Sequence, residues 1–188
     1  MGKKKRKTTE ASPAALAGSG KPFAGAQGKP VRASQAEYVE VVLPGQANPL
    51  GNVLGGHVMH LMDITAAIAA HRHSNSYAAT VAVDYLDFRH AIKVGQLIVL
   101  KSSVNRVFDT SMEVGVKVFS EDILTGERRH TSSAYVTFVA LDERGQPKRV
   151  RPVIPETPEE RRRYREAAVR REQRLAHRYK RPPADKEA

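Results

Sequence analysis

At 188 residues with a formal net charge of +11, the chain is long enough for one domain with tails and a sizeable core. It contains no cysteine, which excludes a disulfide framework, a thiol nucleophile and a cysteine metal site. Residues 1–34 carry eight Lys/Arg against one acid and residues 152–188 eleven against seven, whereas residues 35–151 are balanced at twelve of each, so no basic nucleic-acid face is expected on the folded part.

Residues 1–34 open on Lys3-Lys-Lys-Arg-Lys7 and continue through Ala, Gly, Ser and Pro with few large apolar side chains, a composition expected to form a disordered basic tail. They do not resemble an export signal, which leads to the expectation of a cytoplasmic protein. No apolar run reaches the ~18 residues that a membrane span requires. Residues 35–43 alternate weakly and are rich in valine, as a first strand would be, and Pro44-Gly45 ends it. Pro49 and Gly51 then break the chain again before Gly55-Gly56. Residues 57–73 contain no proline or glycine, and Val58, Leu61, Met62, Thr65, Ile68 and Ala69 recur at helical spacing. Four strand-like stretches follow, at residues 77–88, 96–108, 111–121 and 129–141, separated by turn material such as Gly95, Gly126 and Gly145. One strand, one long helix and four strands predict an α+β fold with an antiparallel sheet and its helix on one face. Unpaired sheet edges make self-association expected. After Pro152, Pro155 and Pro158, residues 159–179 show only a thin apolar stripe through Tyr164, Ala167, Ala168 and Leu175, predicting a solvated helix lying loosely on the core.

The loop-to-helix junction carries the candidate chemistry. On a helical wheel Asp63 lies beside Met59, Ala66, Ala67 and Ala70, where desolvation would raise its pKa toward that of a general base. A buried aspartate capping a neighbouring amide is the structural alternative, and spacing alone leaves both open. Gly55-Gly56 permits a tight turn, and free amides at a helix N-terminus also suit a developing oxyanion. Asn48 could orient a water or a carbonyl, or serve turn chemistry alone. His57, His60 and Asp63 invite a metal reading, but His57 and Asp63 fall about 120° apart on the wheel, too far for one ion. His71 and His73 read as solvated helix-end residues.

Asn48-Pro-Leu-Gly51, Gly55-Gly56, Met59 and Met62-Asp63 together resemble the signature of the hotdog-fold acyl-CoA thioesterases of the cytosolic acyl-CoA hydrolase type. The likeness continues through Thr80-Val-Ala-Val-Asp84, Phe88, Val94-Gly95, Thr110-Ser-Met-Glu-Val114, Tyr135-Val-Thr-Phe-Val139 and Asp142-Glu-Arg-Gly145. It implies a hotdog domain over residues 35–151, with residues 1–34 as a basic tail and residues 152–188 as a Pro-rich linker and charged helical tail. It further implies a sheet wrapped around the helix, dimers joined edge to edge, and assembly to tetramers or hexamers. Residue by residue, Asp63 matches the catalytic carboxylate, Asn48 an active-site asparagine from the facing subunit, and the Gly56 amide an oxyanion donor. Gly55, Thr80, Thr110 and Ser111 match positions at the substrate site. Arg89, Lys93, Arg106 and Arg128 are candidates for the phosphates of CoA. His90-Ala91, Gln96 and Asp109 depart from the pattern, standing where a proline, an aspartate and a glycine are common.

Thioester hydrolysis is consistent with so sparse a site. The leaving thiolate has a conjugate acid near pKa ~8.5 and needs little help from a general acid. One carboxylate and one oxyanion pocket then suffice, with no cofactor beyond the CoA of the substrate. Two other readings compete: a hotdog module binding an acyl thioester or polyanion through basic tails without turnover, and a dehydratase, which would want a histidine base.

Overall fold

Runs of Val, Ile, Phe and Thr build the sheet, and one apolar helix without internal breakers closes over it. The computed structural model describes residues 27–179. In chain order these form β1 (Lys29–Pro30), β2 (Ala36–Val41), α1 (Gly55–Ser74), β3 (Tyr77–Phe88), β4 (Leu97–Phe108), β5 (Ser111–Glu121), β6 (Arg128–Leu141), β7 (Val153–Ile154) and α2 (Pro158–Tyr179). Strands β2 to β6 make one antiparallel five-stranded sheet in the order β2-β4-β5-β6-β3, which leaves β2 and β3 as its edges. This is the expected α+β architecture, the hotdog arrangement of sheet and central helix. Among the described residues no helix is long and apolar enough to cross a membrane.

Helix α1 lays Val58, Leu61, Met62, Ala66, Ala69 and Ala70 against an inner sheet face that includes Leu100, Val104, Met112, Val114, Val116 and Phe138. Ala66, Ala69 and Ala70 have no exposed area, and their small side chains let the helix backbone approach closely enough for Ser102 Oγ to donate to the Thr65 carbonyl at 2.7 Å. Full burial of each large aliphatic side chain contributes ~1.5–3 kcal/mol. The helix ends where Asn75 turns left-handed (φ 51°) and its amide bonds the His71 carbonyl.

Three expectations are corrected. First, the segment before residue 35 is not wholly a tail. Residues 1–26 lie outside the described region, but Lys29–Pro30 pairs with Val153–Ile154 and the turn Val31–Ser34 packs on the core. Ser34 is fully buried, donates to the Val31 carbonyl at 2.7 Å and accepts from the Val104 amide at 3.0 Å, extending the ladder past the end of β2. Lys29 Nζ caps the C-terminus of α1, donating to Asn75 Oδ1 at 2.7 Å and the His73 carbonyl at 3.3 Å, where a cation suits the helix dipole.

Second, α2 does not lie loosely. It begins with a capping box in which the Glu160 carboxylate accepts from the Glu156 and Thr157 amides and Thr157 Oγ1 accepts from the Glu160 amide, with Pro158 in the first turn. The helix covers the outer sheet face, burying Ala167 completely. What holds it is ionic: Arg170 reaches Glu113 on β5 and Arg174 reaches Asp84 on β3. A stripe-based reading misses an anchor made of arginines.

Third, His73 is not solvated. It is 2% exposed, with Nε2 3.0 Å from the Arg151 carbonyl as the chain crosses back over the end of α1. Burial, aided by the nearby Lys29 charge, holds its pKa below the ordinary 6.5. The unfolded chain therefore binds this proton at a higher pH than the folded one. Stability from His73 is complete above pH 6.5 and declines as pH falls below that value. Denaturation at pH 7.5 and 5.5 is expected to show this loss, and His73→Gln should flatten it; an unchanged slope in the variant would refute the assignment.

Candidate active site

Asp63 sits in the third turn of α1 on the side that faces edge strand β3, and Thr80 Oγ1 donates to Asp63 Oδ1 at 2.7 Å. The expected burial is not found within one chain. Ala66 and Ala70 turn to the sheet, whereas Asp63 is exposed and its wheel neighbour Met59 is 46% exposed. Beside this pair the 12-residue strand β3 leaves one edge unpaired among the described residues, with Val81, Val83, Tyr85 and Phe88 between 47% and 63% exposed. The strand is bulged twice, and Tyr85 takes a positive φ of 47° in the second bulge. So long and apolar an edge is a surface that a second chain would cover.

The glycine pair begins α1. Leu54 is the N-cap and offers no side-chain cap, so the amides of Gly55, Gly56 and His57 have no intrahelical acceptors at the positive end of a 20-residue helix. A Cβ at Gly55 would meet Phe88 at ordinary contact distance, and a Cβ at Gly56 would meet nothing within 4 Å. Packing inside one chain does not require glycine at position 56.

Asn48 lies in the preceding loop. Its Oδ1 accepts from the Leu50 amide at 3.0 Å and the Asn52 amide at 3.2 Å, and Gly51 at φ 73° completes the turn. Asn48, Gly55, Phe88 and Arg89 line a cleft of about 320 Å³ at the helix N-terminus. Asp63 and Thr80 are not among its lining residues, so one chain presents the amide end and the carboxylate as separate surfaces.

The remaining candidates scatter. Arg89 Nε is held by Asp87 at 2.6 Å, and Arg128 pairs with Glu121. The Thr110 carbonyl accepts from the Ala140 amide at 2.9 Å. Arg106 stacks on Tyr164, 4.3 Å from the ring centre, and Ser111 Oγ accepts from Arg171 at 3.1 Å, so both belong to the α2 interface on the outer face. The Lys93 side chain is exposed. His57 is paired with Glu40 at 3.0 Å rather than with His60 or Asp63. Among the described residues, no three His, Asp or Glu side chains are grouped to hold a metal. A larger groove of about 780 Å³ runs along the outer face beside the start of α2, and two of its cations, Lys101 and Lys117, are paired with Glu37 and Glu159.

A family model described as the thioesterase superfamily matches residues 50–127. Mouse acyl-coenzyme A thioesterase 11 is 41% identical over 152 residues, 80% of this chain, and the chain spans 25% of that relative's length. Protein VdlD of Helicobacter pylori is 42% identical over 135 residues, 71% of this chain and 76% of that protein. An apo hexameric acyl-CoA thioesterase superposes with a TM-score of 0.80 at 40% identity, over 83% of this chain and 100% of that one. The chain belongs to the hotdog-fold acyl-CoA thioesterases. Another member, the acyl-CoA hydrolase of Staphylococcus aureus solved with butyryl coenzyme A and coenzyme A, gives a TM-score of 0.76 at 33% identity over 80% of this chain and 92% of that one. That enzyme has also been solved with alanine replacing an aspartate, a threonine or an asparagine, the asparagine 15 residues before the aspartate and the threonine 17 after it.

Two departures from the thioesterase pattern have local explanations. Asp109, standing where glycine is common, adopts φ 64°, a region aspartate tolerates, and is held by Arg149 at 3.0 Å. Gln96 accepts from the Lys93 amide at 2.9 Å, closing the turn by itself. Two features escaped the sequence reading: Thr80 as the direct partner of Asp63, and Glu40 as a partner of His57. Each joins residues 17 apart across a change of element, where no periodicity signals contact.

Proposed function

We propose that this protein hydrolyses acyl-CoA to CoA and a free carboxylic acid at a site completed by a second copy of the chain. The observation that carries the reading is the exposed Asp63–Thr80 pair beside an unpaired apolar strand, with Asn48 and the free helix amides on a different surface of the same chain. A second chain added at β3 shields from water the carboxylate that one chain leaves open. Asn48, Asp63 and Thr80 also stand at the spacings of the asparagine, aspartate and threonine altered in the Staphylococcus aureus enzyme.

In this mechanism Asp63 takes the proton of an attacking water, or attacks the thioester carbonyl directly to form an anhydride that water then cleaves to release the acid, with Thr80 fixing its rotamer. The carbonyl oxygen, as it gains charge, is met by the Gly56 amide. Asn48 of the facing subunit orients water or carbonyl through its amide group, because its own carbonyl oxygen is occupied within the loop. The thiolate of CoA then departs. No cofactor is needed. Dimers joined at β3 assemble further, and the apo structural relative is itself hexameric.

Mixed oligomers test the shared site. Asp63→Ala and Asn48→Ala are each expected to be nearly inactive alone. Refolding them together gives mixed dimers in which one site is doubly altered and the other intact, so thiol release should return to about a quarter of wild type. No recovery on mixing, with mixed dimers present, would place all catalytic groups on one chain and refute the reading.

A further inference from the structure

Resting on that reading, we infer that Glu40 is a positioning residue: by binding Tyr38, Gln46 and His57 at once, it fixes the Asn48 loop and the first turn of α1 relative to the sheet. Glu40 lies on edge strand β2, outside the cleft, with its side chain 22% exposed. Tyr38 Oη donates to its Oε2 at 2.7 Å. Gln46 Nε2 donates to Oε1, and the His57 ring approaches the same oxygen at 3.0 Å through Nε2. Both carboxylate oxygens are engaged, and the donors come from a strand, the turn Pro44–Gln46 and a helix.

Gln46 is the hinge of this arrangement. Its side-chain Oε1 accepts from the Leu43 amide at 2.8 Å, and its backbone carbonyl accepts from the Leu54 amide at 2.9 Å. Leu54 is the N-cap of α1, so one residue ties the start of the Asn48 loop to the residue before Gly55. The loop closes further through the Ala47–Val53 bridge and the Asn48 amide to the Asn52 carbonyl at 2.8 Å. Loop and helix start therefore move together, and Glu40 decides where they sit on β2. His57, on the first turn with the free amides, supplies the helix side of the tie. The Tyr38 hydroxyl, with smaller contributions from His57 and Gln46, outweighs partial burial and holds the Glu40 carboxyl below its ordinary range, so an ionised acceptor is what the three donors meet.

Catalytic groups misplaced by about 1 Å lose roughly 100-fold in rate. Glu40→Ala is therefore expected to lower kcat by roughly 10- to 100-fold, with a smaller change in KM. Glu40→Gln, whose one carbonyl oxygen can still accept from Gln46 and His57 while its amide donates to the Tyr38 hydroxyl oxygen, and His57→Gln, whose amide can donate to Glu40, should each keep most of the wild-type rate. Hydrogen exchange supplies a readout free of activity: amides of residues 46–57 should exchange faster in Glu40→Ala and in His57→Ala, with exchange in β4 to β6 unchanged. If Asp63→Ala is inert while Glu40→Ala keeps kcat within about twofold of wild type and normal loop exchange, this inference is overturned and the hydrolase reading stands. If wild type releases no thiol from any acyl-CoA, the hydrolase reading falls, and loop exchange still decides whether Glu40 holds the loop.

Discussion

Asp63→Ala is expected to lower kcat for acyl-CoA hydrolysis by roughly 10²–10⁴-fold, the range a positioned general base supplies. Among the described residues the side chain makes one hydrogen bond, to Thr80, and it is exposed, so its removal leaves no buried partner unsatisfied there. Fold and oligomer should persist, and KM should change little, because the lost interaction belongs to the transition state. Asp63→Asn separates geometry from charge. It keeps an oxygen for the Thr80 hydroxyl but cannot take a proton, and should be as inactive as the alanine variant. Thr80→Ala keeps the base and loses its orientation, so a smaller defect, roughly tenfold, is expected from misalignment alone. A thiol-release assay across acyl-CoA lengths, with the three variants beside wild type, makes the measurement. Near-normal hydrolysis by Asp63→Ala would remove this carboxylate from the mechanism.

Arg170→Ala is expected to destabilise the fold by ~3–5 kcal/mol, the cost of leaving a buried charge without its partner. Glu113 is 1% exposed near the start of β5, and Arg170 grips it with Nε at 3.0 Å and Nη2 at 2.7 Å while stacking on Tyr135 at 3.5 Å. Asn105 Nδ2 donates to the same carboxylate at 2.9 Å. Gly115 makes room for that contact, because a Cβ there would come within 2.8 Å of Asn105 Nδ2. With Arg170 removed, Glu113 keeps only a neutral donor under a helix that still excludes water. Arg170→Lys keeps a charge but not the two-pronged geometry or the stacking, and should recover part of the loss. The double variant Glu113→Leu, Arg170→Leu should recover most of it, because the desolvation cost disappears with both charges. Thermal melts at one fixed protein concentration provide the comparison, since association shifts Tm by mass action. At ~2–4 °C per kcal/mol, the single variant should melt on the order of 10 °C lower. A melt within about 2 °C of wild type would show that α2 is held by something other than this pair.

Much of the fold was legible because the sheet and α1 are built from local patterns. The strands over residues 77–88 and 111–121 have the ends that the sequence predicts, since runs of β-branched and aromatic residues flanked by turn residues such as Asn75-Ser76 and Asp122 report directly on extended backbone. Gly55-Gly56 reads as the start of the helix, where α1 begins, and the breaker-free run to His73 stops one residue before its observed end. The candidate site was legible as residue types at spacings, chiefly Asn48, Gly56 and Asp63. Its environment was not. A helical wheel places Asp63 among alanines but cannot tell the side pressed on the sheet from the side left beside an edge strand, and so it predicted burial where one chain shows exposure.

The sequence by itself determined the order of elements, the confinement of excess charge to the ends, and the glycine-led helix with a carboxylate in its third turn. These follow from composition, side-chain periodicity and the conformational preferences of single residues, each readable within a short window. Only the tertiary structure decided that Lys29 caps α1, that His73 is buried, that arginines rather than an apolar stripe fasten α2, and that Glu40 joins Tyr38, Gln46 and His57. Each joins elements that the chain alone does not bring together, and a polar contact, unlike an apolar face, leaves no repeating pattern along the chain. Asp63 lies between the two cases. Its place on the helix is set by the period of its neighbours, while its partner Thr80 and the open strand beside it exist only once β3 has folded back along α1.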